Sequence, residues 1–279
     1  MDFERTHPMN RRRTLVLAGL GTVAMAPGVR AQRVRSLADP LRVGVDTALA
    51  ESGLAHALQV AFGRDTGIAA KLVLAPSTST LEALERGELD VALANTPEAE
   101  LNLDKQGLVH DRQAVAAARF AIVGPAPRGK QRDPASIAGG RSAVQALVQL
   151  RDAVAAAPGT ISFLSAGDGS GTHLAEVALW RAAKVAPVAP WYVTADVKSP
   201  FLAQVRGRGA YAVVERGAWD ATGGAPLAVL VEGDALMVGQ VHAMRSFRVN
   251  HPAGKMFVAW IAGPKGRAVV ARHRGYAAP

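Results

Sequence analysis

Three short apolar runs, Leu41–Val45, Ala70–Leu74 and Asp90–Ala94, recur with a helix-length stretch between each pair. No other feature narrows the fold as much. Strands that return after an intervening helix pair side by side in parallel, so residues 41–94 predict a wound parallel sheet of the α/β class. Ser52 is placed to cap the first intervening helix, which carries Leu54, Leu58 and Phe62 at four-residue spacing and stops at Gly67. A polar loop, Pro76-Ser77-Thr78-Ser79-Thr80, opens a second helix from Leu81 to Arg86, stopped by Gly87.

A second unit repeats the pattern. Phe120–Gly124 is an apolar run, broken off by Pro125, Pro127, Gly129 and Pro134. Helical periodicity returns over Ala143–Ala157, and Ile161–Leu164 reads as a strand. That strand enters the turn Ser165-Ala166-Gly167-Asp168-Gly169-Ser170-Gly171-Thr172 and then a helix carrying Leu174, Val177 and Leu179. Later strands are expected at Ala210–Val214 and Ala228–Val231, and helices at Lys255–Ala262 and Pro264–His273. With 49% apolar and 20% charged residues over 279 positions, the chain has material for a packed core, which excludes global disorder.

Whole classes of chemistry fall away next. There is no cysteine, so disulfide scaffolds, zinc–thiolate sites, iron–sulfur clusters and thiol nucleophiles are excluded. The seven His form no His-x-x-x-His or His-Glu-x-x-His pair, and no phosphate loop ending in Gly-Lys-Ser/Thr occurs. Neither a metal nor a cofactor is expected. Aromatics are 5% of the chain and its basic residues are dispersed, which argues against a nucleic-acid partner.

The net charge of +9 is partly an address. Residues 1–31 carry five Arg against Asp2 and Glu4, leaving +6 on the remainder. Arg11-Arg12-Arg13 precedes the apolar stretch Thr14–Ala26, and Val29-Arg30-Ala31 supplies small residues at the cleavage positions. This predicts a secretory signal peptide, of twin-arginine or Sec type, cut after about Ala31. Met9 is a second candidate start. The mature protein is expected in the periplasm.

Two stretches are candidate sites. The turn Gly167-Asp168-Gly169-Ser170-Gly171-Thr172-His173 lies between a strand and a helix, with glycines that let the backbone approach a ligand and unpaired helix N–H groups beyond. It is an anion seat or a plain capped turn. The hydroxyl cluster Ser77-Thr78-Ser79-Thr80 is a second seat or a second capping device. Facing each other, the two would hold a small oxyanion without a formal cation. A serine hydrolase is the catalytic alternative. The order Gly167-Asp168-Gly169-Ser170-Gly171 departs from both Gly-Asp-Ser-Gly-Gly and Gly-x-Ser-x-Gly, and a base for Ser170 would have to come from His242 or His251.

The strongest block, Gly167–His173 with Glu176, Leu179 and Trp180, is joined in order by Glu51-Ser52-Gly53-Leu54, Glu85–Val91, Pro97–Glu100, Phe120–Gly124, Trp191-Tyr192, Gly209–Tyr211, Glu215–Gly217 and Val231–Asp234. Over about Leu41–Tyr276 the chain resembles the tungstate-binding periplasmic proteins of ABC transporters, within the type II periplasmic binding proteins. The resemblance implies two α/β lobes joined by crossover strands, with a ligand cleft between. It divides this chain into a linker at 32–40, one lobe from 41–124 plus 232–279, and another from 125–231. It implies a protein that binds tungstate or molybdate, is no enzyme, and docks on an ABC permease in the inner membrane; a monomer is the default expectation. The ligand positions carried over are Thr47, Ser77, Ser170 and Thr172, and Thr78, Ser79 and Gly171 beside them complete the expected binding set.

Two departures bear on the ligand. The family's first turn is a Thr-Thr-Thr-Ser-Thr run, whereas this chain has Val45-Asp46-Thr47-Ala48-Leu49. The family's Arg before the later Gly-Asp is Ala166 here. A carboxylate beside a dianion costs affinity unless it is protonated or points away, so a drifted ligand such as a small organic acid is the alternative within the same fold.

Overall fold

The computed structural model of the chain describes residues 33–279; the expected signal segment at 1–31 lies outside them. The first elements are β1 (Arg33–Val34), β2 (Leu41–Val45), α1 (Thr47–Glu51), α2 (Leu54–Thr66), β3 (Ala70–Leu74), α3 (Ser77–Arg86), β4 (Val91–Ala94) and α4 (Pro97–Lys105). The long strand β5 (Val109–Pro125) follows, then α5 (Ala143–Ala156), β6 (Phe163–Ser165), α6 (Gly171–Ala182), β7 (Tyr192–Thr194), α7 (Phe201–Arg208), β8 (Ala212–Glu215), α8 (Arg216–Thr222) and β9 (Leu227–Val231). One turn of 3-10 helix (Ala235–Met237) leads into β10 (Val238–Ser246), β11 (Val249–Asn250), α9 (Pro252–Ala262), α10 (Pro264–Ala271) and β12 (Tyr276–Ala277).

The three runs that open the sequence lie together as expected. β2 sits between β3 and β4 and is parallel to both, with Val43 opposite Leu72 on one side and Val91 on the other. The sheet as a whole is mixed. β10 pairs antiparallel with β4 and with β5. Alternating strand and helix dictates parallel pairing only while the chain keeps crossing over; β5 and β10 run straight on instead.

β5 explains the organisation. Its 17 residues exceed an ordinary strand of about 5–6. Val109–Arg119 pair with β10, while Phe120–Pro125 pair with β8 and β9. The continuous apolar run Phe120–Val123 is buried on both faces, as a strand covered on two sides requires. A single strand thus serves two groups of strands. Leu41, Val43, Val45, Phe62, Leu93, Phe257 and Ile261 are buried in the core around β2 and β4. Ala121, Val123, Leu164, Val205, Val214 and Trp219 form a second cluster around β8. Each large side chain fully buried this way contributes about 1.5–3 kcal/mol.

Local differences have local causes. Ser77–Thr80 form the first turn of α3, not a loop before it, because Pro76 fits the position preceding a first helical turn. Gly53 sits at the N-cap of α2 with φ of 80°, while Ser52 Oγ accepts from Leu54 N–H at 3.2 Å. The stretch read as a linker is tied down: β1 pairs with β11, and Arg35 bonds the buried Asp90 carboxylate.

Candidate functional site

Three strand-to-helix turns meet at one carboxylate. Asp46 ends the connection from β2 into α1, Ser77 opens α3, and Gly171 opens α6. The Asp46 side chain is wholly buried. Its Oδ2 accepts from Ser77 N–H at 3.0 Å, Ser77 Oγ–H at 2.6 Å and Gly171 N–H at 2.9 Å. Its Oδ1 accepts from Ala48 N–H at 3.0 Å. These donors are the orphan groups of helix starts, whose partial positive charge favours an anion. No formal cation takes part.

The glycines of the 167–171 turn are there because two segments touch. Gly169 has φ of 79°, and a Cβ on it would overlap the Thr78 hydroxyl. Instead Thr78 N–H donates to Gly169 C=O at 3.2 Å. A Cβ at Gly171 would lie 2.8 Å from the Asn95 Cβ. Asn95, 5% exposed at the end of β4, donates its N–H to Ser77 Oγ at 3.0 Å. The Asn95 Nδ2 is buried without a hydrogen-bond partner.

Around the seat the charges are mostly acidic. Burial raises the pKa of Asp46; the bonds from Ser77, Gly171 and Ala48 oppose the rise, and Asp168 adds to it. Glu51 on α1 is raised by burial, then by Asp46 and Asp168. Glu215, at the end of β8, is pushed up by burial to about 8. Ser52 Oγ donates to Leu49 C=O at 2.9 Å, and the Tyr276 hydroxyl lies between Ser52 Oγ, at 2.8 Å, and Glu215.

Among the expected site residues, Ser77 and Gly171 converge on a single oxygen of Asp46. Thr47 opens α1 directly after Asp46, and Thr78 touches Gly169. Ser170 spends its hydroxyl on capping α6, accepting from His173 N–H at 3.2 Å, and Thr172 is buried in the same turn. Ser79 faces solvent. The bases a hydrolase would need are engaged elsewhere. His173 Nδ1 accepts from Gly169 N–H at 3.0 Å, with its pKa lowered by burial. His242 Nδ1 lies 2.7 Å from Glu100, and His251 accepts from Ala253 N–H at 3.1 Å. Among the described residues no group of three metal-ligating side chains is assembled. Asn95 escaped the sequence reading; its one signal there is a polar Asn95-Thr96 pair closing an apolar strand before Pro97.

The profile of the PBP superfamily domain matches residues 29–254. The chain belongs to the PBP superfamily. Its fold is that of the type II periplasmic binding proteins. This PBP chain is 29% identical over 245 residues to the tungstate-binding protein TupA of Peptoclostridium acidaminophilum, an alignment covering 84% of this chain and 82% of that one. The structure of the tungstate ABC transporter from Geobacter sulfurreducens matches with a TM-score of 0.72 at 28% identity, over 85% of this chain and 99% of that one. The tungstate binding protein TupA from Desulfovibrio alaskensis G20 matches with a TM-score of 0.66 at 26% identity, over 86% and 99%.

Proposed function

We propose that this chain is the periplasmic solute-binding component of an ABC transporter, taking a small oxyanion, tungstate or molybdate, and delivering it to an inner-membrane permease. One observation carries the reading: the donors of three strand-to-helix turns converge on a single anionic group, Asp46 Oδ2 and Oδ1. Such a seat binds charge through fixed dipoles and needs no metal or cofactor. The TupA relatives, named for tungstate, support the same ligand class.

On this reading the protein acts by motion and makes or breaks no bond. Residues 41–124 with 232–279 form one lobe and residues 125–231 the other, hinged where β5 passes between its two sets of partners. The anion draws the α3 start and the α6 start together, and the closed form docks on the permease. The chain is exported by its signal peptide and works as a monomer.

Calorimetry and thermal-shift measurements on residues 32–279 with tungstate, molybdate, sulfate and phosphate test the proposal. Saturable binding of tungstate or molybdate, with a matching rise in Tm, is the expected result. No heat and no shift with any of the four overturns it.

A further inference from the structure

We infer that the Asp46 carboxylate is the resident anion of this seat, a tethered occupant that an external oxyanion has to displace. The inference rests on the functional reading above and goes past it, to what controls the site.

Capping does not account for the geometry. As N-cap of α1, Asp46 needs only its bond to Ala48 N–H. The other three donors come from residues 31 and 125 positions away in the chain, and all end on Oδ2. One oxygen taking three convergent donors is the arrangement an oxygen of a bound oxyanion would have. A carboxylate at this turn is harmless to an anion when it is protonated or turned away. Asp46 does the opposite and fills the place.

A second observation points to a larger guest than a carboxylate. The Asn95 side chain is nine-tenths buried next to Gly171, and its Nδ2 has no acceptor. Buried donors without partners are rare. A carboxylate has two oxygens, both already taken up by the other donors. A tetrahedral anion has four, and would bring an acceptor within reach of Asn95. The Asn95 amide is thus a further buried donor beside Gly171 that Asp46 does not use.

The consequence is self-closure. Thr78 and Gly169 are already in contact across the seat with Asp46 bridging α3 and α6. External anion competes with an internal one, so its apparent affinity is the intrinsic affinity multiplied by the fraction of molecules in which Asp46 has swung out.

The test compares tungstate affinity of the mature wild-type chain and Asp46→Ser, which keeps a capping oxygen and removes the charge. The variant is expected to bind at least about tenfold tighter. Equal or weaker binding by a variant with an intact thermal transition overturns the inference and leaves the oxyanion reading standing. If neither chain binds any oxyanion, the functional reading falls, and formate decides the inference alone. Formate that raises the Tm of Asp46→Ser and leaves the wild type unmoved supports a vacated carboxylate seat; no shift in the variant overturns it. Should the variant not fold, a wild-type crystal soaked in tungstate decides. Tungstate on Ser77 and Gly171 with Asp46 rotated away supports the inference, and Asp46 still bonded to Ser77 and Gly171 after the soak overturns it.

Discussion

The hydroxyl of Ser77 donates to Asp46 Oδ2 at 2.6 Å and accepts from Asn95 N–H at 3.0 Å. A single oxygen thereby ties the start of α3 to the end of β2 and the end of β4. Ser77→Ala breaks both bonds and leaves the Asn95 N–H buried without a partner. The expected loss is about 1–3 kcal/mol, a drop of several degrees in Tm for a domain of this size. Urea unfolding of the mature chain measures it; a stability within about 0.5 kcal/mol of wild type would contradict this role.

Much of this was legible in the residues, for identifiable reasons. β2, β3 and β4 are short apolar runs fenced by Gly67, Gly87 and polar turns, and local pattern decides them. The turns at Ser77 and Gly171 stand out in the sequence because hydroxyls and glycines cluster between a strand and a helix there, a pattern shared by capped turns and anion seats. β10 was not legible. Its sequence, Val238 to Ser246, mixes small, polar and charged residues, and only pairing with both β4 and β5 makes it a strand. The antiparallel half of the sheet follows from that long-range pairing. The role of Asp46 was half legible: its charge was visible at the right turn, while its direction depends on donors 31 and 125 residues away.

Stability is expected to fall as pH rises from about 5 to 8. Glu215 titrates at about 8 in the folded chain against an ordinary value of 4.5. Between those values the folded state keeps a proton that the unfolded state has lost, so stability is fully present below 4.5 and is lost as pH rises toward 8. Glu176, raised by burial to about 7, acts in the same direction. Glu215→Gln keeps a neutral group beside Tyr276 and removes one proton from the balance. Its stability-versus-pH slope should be shallower by up to about 1.4 kcal/mol per pH unit. Denaturant midpoints for both chains across this range give the comparison, and parallel slopes would show that Glu215 is ionised in the folded state.

Gly169→Ala tests the contact between the two helix starts. The residue sits at φ of 79°, and an added Cβ would overlap Thr78. Two separate costs therefore arise, backbone strain and steric exclusion, together about 1–3 kcal/mol. Adding Thr78→Ala relieves only the second. The expected order of Tm is wild type, then the double variant, then Gly169→Ala alone. A double variant no more stable than the single one would show that the Thr78 side chain does not limit the approach.

Glu100 is the most demanding carboxylate outside the seat. It is wholly buried, accepts from Thr96 N–H at 2.8 Å through one oxygen, and meets Arg112 at 3.0 Å and His242 at 2.7 Å through the other. It joins α4 to β5 and β10. Replacing Arg112 by Ala strands a buried negative charge, which costs about 3–5 kcal/mol in enclosed pairs; the arginine is 18% exposed, so the lower end is expected. The double change Arg112→Met with Glu100→Gln removes both charges and keeps the volume, and should recover most of the loss. Thermal unfolding of Arg112→Ala, Arg112→Met alone and the double variant decides between a charge-pairing role and simple packing. Under simple packing Arg112→Met, which keeps the volume, is at least as stable as the double variant, and under charge pairing the double variant stands above it.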